Sequence, residues 1–193
     1  MEKMREHKNI DLRHVKITGV SSFTLVMADE YSKQRTFYHC RGGNAALCEE
    51  WLAYYQYWVG AHVAEGPMRS EVESEMLVHA NEELAHANKL IARIVQLGGT
   101  PVLSPDQWMK LARCKYEAPT DVYVETILEQ NLRGERCAIK RYRDLADYTD
   151  GVDYTTAKMA VEILEDELEH EEDILAFQRD IVSLKRTFDK MIK

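Results

Sequence analysis

From about Ala45 onward, core-type side chains recur at alternating steps of three and four, the period of a helix with one buried stripe. Four such stretches stand out. Helix A is predicted over about Ala45–Glu65, with Leu47, Glu50, Tyr54, Tyr57, Ala61 and Ala64 on its seam and Gly66-Pro67 as its stop. Helix B follows after a tight turn, with Val72, Met76, His79, Glu83, His86, Leu90, Ile94 and Leu97 inward, and ends at Gly98-Gly99-Thr100-Pro101. Helix C, about Asp121–Tyr148, carries Val124, Leu128, Asn131, Glu135, Ala138, Tyr142 and Leu145. Helix D has the cleanest seam: Ala160, Ile163, Glu167, His170, Ile174, Phe177, Ile181, Leu184 and Phe188.

The connections decide how these helices stack. Pro101, Pro105 and Pro119 forbid one continuous helix between B and C and leave room for a short one over Asp106–Cys114. A connection that long lets two successive helices run parallel, whereas the short link Thr149–Asp153 returns D antiparallel to C. The expected fold is therefore all-α: a four-helix bundle of ferritin-like connectivity, one domain over residues 44–193, with a long crossover between the second and third helices. Residues 1–43 lack helical periodicity, with some strand-like character over Thr18–Met27, and read as an extended, mildly basic arm. Gly42-Gly43 breaks the chain there, with Asn44 as the expected N-cap of helix A.

The seams are not purely apolar. Glu83-Leu84-Ala85-His86 and Glu167-Leu168-Glu169-His170 each place a carboxylate and an imidazole three residues apart on one face, between apolar neighbours. One such motif is weak evidence, but a matched pair inside two seams is strong, because an unpaired buried carboxylate costs several kcal/mol. Helices A and C each add one inward carboxylate, Glu50 and Glu135. Glu129 lies off the seam, and Glu162, Glu165, Glu169, Glu171 and Glu172 read as surface charges. Four carboxylates and two imidazoles at one depth suit two ions of iron, with manganese as the alternative. The same donor set characterises ferritin-like di-iron and di-manganese proteins.

Composition narrows the class. With 193 residues, four Pro, nine Gly, 45% apolar and 30% charged residues, the chain has the make-up of a helical globular protein. A bilayer-spanning run and a secretory leader are both lacking, so we expect a cytoplasmic protein. The net charge of −8 opposes a nucleic-acid platform and favours attraction of cations. Cys40, Cys48, Cys114 and Cys137 lack the short spacing of a zinc site.

Two further stretches carry a family resemblance. Glu50-Trp51-Leu52-Ala53-Tyr54-Tyr55-Gln56-Tyr57 resembles the first-helix motif of bacterioferritin-type proteins, in which a ligand Glu precedes a Gln-Tyr pair. Ala112-Arg113-Cys114-Lys115-Tyr116 together with Glu135-Arg136-Cys137-Ala138-Ile139 resembles the Dps-like proteins called thioferritins. The resemblance spans about residues 44–185. It implies a homo-oligomeric, twelve-subunit hollow cage that oxidises Fe(II), preferentially with hydrogen peroxide rather than oxygen, and stores ferric mineral. It also implies that Cys114 and Cys137 form a redox-active pair. By residue geometry alone Cys137 points away from the metals, about 200° around the helix from Glu135. Leu84 stands where bacterioferritins have a haem-ligating Met, so no haem is expected. Gly42-Gly43 falls where relatives already have helix, so helix A is expected to begin late, with Glu50 in its second turn.

Three residue readings stay open. Tyr57, a heptad after Glu50, is placed to hydrogen-bond a ligand carboxylate or accept an oxidising equivalent. Tyr54 and Tyr142 are equally well explained by packing. His79, a heptad before His86, is an outer-shell residue or extra ligand, or, more commonly, a hydrogen-bonded core histidine. The functional alternatives are a di-iron or di-manganese peroxidase or oxidase that stores nothing, a DNA-protecting protein using the basic arm, and a metal-free bundle.

Overall fold

The computed structural model describes residues 42–192, so the arm, with Cys40 and the strand-like stretch, lies outside the described residues. Four long helices form: α1 (Gly42–Val63), α2 (Arg69–Gln96), α4 (Val124–Thr149) and α5 (Tyr154–Ile192). Between α2 and α4 the crossover contains a 3-10 turn (Pro105–Gln107) leading into the four-residue α3 (Trp108–Leu111). This short helix is smaller than the expected Asp106–Cys114 because the chain turns extended at Ala112.

Helix α1 does not begin late. It already includes Gly42, so about two full turns precede Glu50 and hold it rigidly. Asn44 is correspondingly not an N-cap. Its side chain faces the crossover, donating to the Thr100 carbonyl at 3.0 Å and accepting from the Val102 amide at 2.8 Å. The crossover is fastened along α1 at further points. Trp51 stacks on Trp108 with ring centroids 5.2 Å apart, and the Glu117 amide donates to Gln56 Oε1 at 2.8 Å. A parallel bridge joins Glu65 to Tyr123. Gly66 beside it has φ 118°, and a Cβ there would meet the Tyr123 ring at 2.8 Å.

Cross-helix pairs fix the directions. Residues 50 and 57 of α1 meet 142 and 135 of α4, and residues 82 and 86 of α2 meet 170 and 166 of α5, so both pairs are antiparallel. The tight turn makes α1 and α2 antiparallel as well. Helices α2 and α4 are therefore parallel, and the crossover is what permits it. At the start of α5, Asp153 Oδ1 accepts from the Thr156 amide at 3.1 Å, and both of its oxygens accept from Arg93 Nη2 at 2.7 Å. Such a cap stabilises the helix by about 1 kcal/mol.

The apolar core is split in two. One cluster gathers Tyr57, Ala61, Val72, Met76, Ile127, Leu128, Ile174 and Ile181; the other gathers Leu47, Leu90, Ile94, Tyr142, Leu145 and Ile163. Between them lies a polar layer. The seams follow the expected positions until late in α5, where Leu184 and Phe188 are exposed rather than inward. Lys185 pairs with Glu125 at the first turn of α4, so beyond it α5 outruns the helix it packs on.

Candidate metal centre

The polar layer brings together all six residues expected from the seams. Glu50, Glu83, His86, Glu135, Glu167 and His170 are each 2% exposed or less. They form two interlocking groups. Around His86 Nδ1 stand Glu50 Oε2 at 3.3 Å, Glu83 Oε2 at 3.4 Å and Glu167 Oε1 at 3.3 Å. Around His170 Nδ1 stand Glu83 Oε1, Glu135 Oε2 and Glu167 Oε2, each at 3.6 Å. Glu83 and Glu167 give one oxygen to each group, whereas Glu50 and Glu135 each belong to one.

These separations are informative. Two donors each about 2.1 Å from one ion and at a tetrahedral angle lie roughly 3.4 Å apart, beyond ordinary hydrogen-bond length. Glu50 Oε2, Glu135 Oε2, both Glu167 oxygens and both Nδ1 atoms are buried with no hydrogen-bond partner. Buried polar atoms are rarely left so, and this many converging on one point fit a pair of cations. The mixture of carboxylate and imidazole fits iron or manganese.

The surroundings orient this set with an internal two-fold pattern. His86 Nε2 donates to Asp166 Oδ2 and His170 Nε2 to Glu82 Oε2, both at 2.9 Å. An ionised carboxylate only accepts, so the proton sits on Nε2 and the Nδ1 lone pair faces the centre. The Tyr142 hydroxyl donates to Glu50 Oε1 and the Tyr57 hydroxyl to Glu135 Oε1, leaving Oε2 of each carboxylate free. Each tyrosine thus serves the carboxylate of the opposite helix, and Tyr142 has a role beyond packing.

Without cations, protons occupy the centre. Burial, then the charge of Glu83, raises the Glu50 carboxyl well above its usual range; burial and then Glu167 do the same to Glu135. For Glu83 burial acts upward, but the polar groups of His170, His86 and Glu50 that face it outweigh this and leave the group below the usual range. Burial opposes charge on His86 and His170, yet the facing carboxylates raise both. Burial, followed by the adjacent carboxylates, keeps both tyrosines protonated as donors.

His79 is buried, and neither of its ring nitrogens makes a hydrogen bond, so it is not a hydrogen-bonded core histidine. Its ring stacks on His170 with centroids 4.1 Å apart. Burial and then the charge of His170 push it down to about 4.

On the α1/α4 side a cavity of about 40 Å³ reaches the centre, bounded by Glu50, Glu83, Glu135, Gln56, Asn131 and Cys114. It has room for about three water-sized molecules at ~10–15 Å³ each. Cys114 and Cys137 are joined in a disulfide, Cα atoms 5.7 Å apart, which ties the crossover to α4 beside this cavity. Glu49 holds the same segment: it accepts from the Arg113 amide at 2.6 Å and pairs with Arg141 at 2.6 Å. Cys48 is a buried free thiol, pushed up to about 11 by burial and then Glu49, and is unreactive.

Sequence reasoning passed over Glu49, Glu82, Asp166 and the pairing of Tyr142. Three of these had a signal. An acidic residue precedes the Glu of both Glu-x-x-His motifs, and a Tyr follows both Glu50 and Glu135 by one heptad. Glu49 had none, because its partners are two amides of the irregular crossover and Arg141 of a helix remote in sequence.

A four-helix bundle with one crossover and paired Glu-x-x-His motifs defines a class, and the comparisons agree. The Ferritin model, a ferritin-like domain, matches residues 44–183. The chain belongs to the ferritin-like family. Within it, the chain is similar to a solved structure described as a dodecameric thioferritin, the bacterioferritin-related protein from Bacteroides fragilis. The identity is 46%, over 86% of this chain and 98% of that one, with a TM-score of 0.80. It is also similar to a bacterioferritin of Rhodobacter capsulatus, 33% identical over 70% of this chain and 78% of the relative. A DNA protection during starvation protein of Pyrococcus furiosus is 34% identical over 65% of this chain and 69% of its own. Among the described residues no helix is long and apolar enough to cross a membrane.

Proposed function

We propose that this protein is a cytoplasmic ferroxidase that oxidises Fe(II) at the paired centre and stores the ferric product in a twelve-subunit cage. The reading is carried by one observation: two four-donor groups share Glu83 and Glu167. A shared carboxylate pair would hold two iron substrates close enough to be oxidised together. Glu50 and Glu135 would each bind one ion, and His86 and His170 would supply the nitrogens.

The four carboxylates balance the charge of two ferrous ions. Two ferric ions carry two charges more than the ligands offset, which favours their departure. Each Fe(II) gives up one electron, and hydrogen peroxide takes both with two protons to leave as two waters, so no hydroxyl radical is released. The cavity beside Gln56 and Asn131 is large enough for peroxide or oxygen. The Cys114–Cys137 pair, of which Cys114 lines that cavity, is read as a redox-active thiol pair, and Tyr57 as a positioning residue. The twelve-subunit assembly is carried over from the Bacteroides fragilis relative.

The test is rapid mixing of Fe(II) with peroxide and the E167A/H170A variant. Rapid oxidation should vanish, and an unchanged rate would remove the site assignment. Size-exclusion chromatography after iron loading tests storage: a large shell must carry many more irons than subunits.

A further inference from the structure

A second set of ligating side chains lies one turn beyond the paired centre, on the seam between α2 and α5. His79 Nε2 stands 3.6 Å from Glu75 Oε1 and 3.5 Å from Asp173 Oδ2. Both distances exceed a hydrogen bond and approach the roughly 3.4 Å expected of two donors sharing one transition-metal ion. The histidine is 2% exposed with neither ring nitrogen hydrogen-bonded, so its Nε2 is an unpartnered buried atom aimed at two carboxylates.

Another grouping, His79 with Glu82 and His170, is geometrically possible. It is already committed, because Glu82 and His170 bond each other at 2.9 Å. Glu75 and Asp173 have no such engagement with one another. Their side chains are 37% and 39% exposed, so waters can complete a coordination shell from the α2/α5 surface. Nothing in the bundle pattern demands a polar residue here: the corresponding position on α5, a heptad before His170, is the fully buried Ile163.

We propose that Glu75, His79 and Asp173 form a third cation site, separate from the paired centre and on the opposite side of the bundle from the disulfide. One imidazole and two carboxylates select a divalent transition ion such as Fe²⁺, Mn²⁺, Co²⁺ or Zn²⁺ over Mg²⁺ or Ca²⁺. The ring of His79, lying flat on His170, separates this ion from the paired centre by one layer of side chains.

Crystals of the full chain, freed of metal and soaked in Co²⁺, test the site through anomalous difference maps at the cobalt edge. A peak bonded to His79 Nε2, Glu75 and Asp173 is expected in addition to any at the centre. Peaks at the centre alone would overturn the third site and leave the ferroxidase reading intact. A peak at His79 with none at the centre would do the reverse. In solution, Co²⁺ titration of the chelated protein should give three ions per subunit, falling to two in E75Q/D173N. Two ions in the wild type, or no loss in the variant, would overturn the proposal.

Discussion

The half of the bundle made by α1 and α2 and the half made by α4 and α5 present the same groups to the centre: one carboxylate with a tyrosine a heptad on, and one acid-Glu-x-x-His run. One heptad away the likeness ends. Before His86 comes His79, but before His170 comes Ile163, inside the second apolar cluster. Glu75 corresponds to Met159, and Asp173 to Lys89, which lies 3.5 Å from Asp166. The donor geometry is duplicated, as a site built for a pair of ions would require, whereas the surroundings differ. Where they differ, the α2/α5 seam has an apolar and basic end and an acidic end with a bare histidine.

The largest effect should come from the residues that both donor groups share. Glu167→Ala removes an oxygen from both groups, so it is expected to lose both ions and bring Fe(II) oxidation down to the rate in buffer. Glu50→Ala and Glu135→Ala should each lose one ion in a Co²⁺ titration, and unequal outcomes would break the two-fold description.

Next come the carboxylates behind the imidazoles. Glu82→Ala and Asp166→Ala should each weaken metal binding by about 10–100-fold. A clearly larger loss for Glu82→Ala would mean that the His79 end contributes to the centre. Smaller still, Tyr57→Phe and Tyr142→Phe each leave a buried carboxylate without its donor. Urea denaturation of the chelated protein should register about 1–3 kcal/mol for each, and similar values for the two.

His79→Ile gives the first half the residue of the second. It should stabilise the chelated protein by about 1 kcal/mol, since it removes an unpartnered buried imidazole. A loss of stability would point to a polar contact at His79.

The gentlest handle is pH. Glu50, Glu135, His86 and His170 hold protons in the folded, metal-free state above the pH at which the unfolded chain releases them. Their folded pKa values are raised, so chelated protein should lose stability as pH climbs from 6 to 8. Glu83 is lowered and acts the other way, its contribution fading only as pH falls below its unfolded value of about 4.5. The melting shift on adding Mn²⁺ should grow over the same rise, because binding displaces protons.

The helices and the six central residues were legible because both depend on one-dimensional spacing. A charge at a seam position is conspicuous, and Glu50, Glu83, Glu135 and Glu167 each occupy one. Contacts made by the crossover were not legible: Asn44 looked like a cap beside Gly42-Gly43, yet it binds residues 100 and 102, which no local pattern reveals. The exposed ends at Leu184 and Phe188 continue the period correctly. They fail because periodicity does not say where the neighbouring helix stops. His79 was undecided because whether a buried ring finds a partner depends on Asp173 across the seam as well as on Glu75 one turn before it on α2.

The polar layer between two apolar clusters also acts on how the chain finds its alignment. Leucine-lined helices tolerate sliding past one another by a heptad, because one apolar rung resembles the next. Here a heptad slip of α2 would bring Met76 or Leu90 to the level of Glu83, and one of α5 would bring Ala160 or Ile174 to the level of Glu167, driving the displaced carboxylate toward an apolar cluster. The central layer therefore marks one register, in which α1, α2, α4 and α5 meet at a single level.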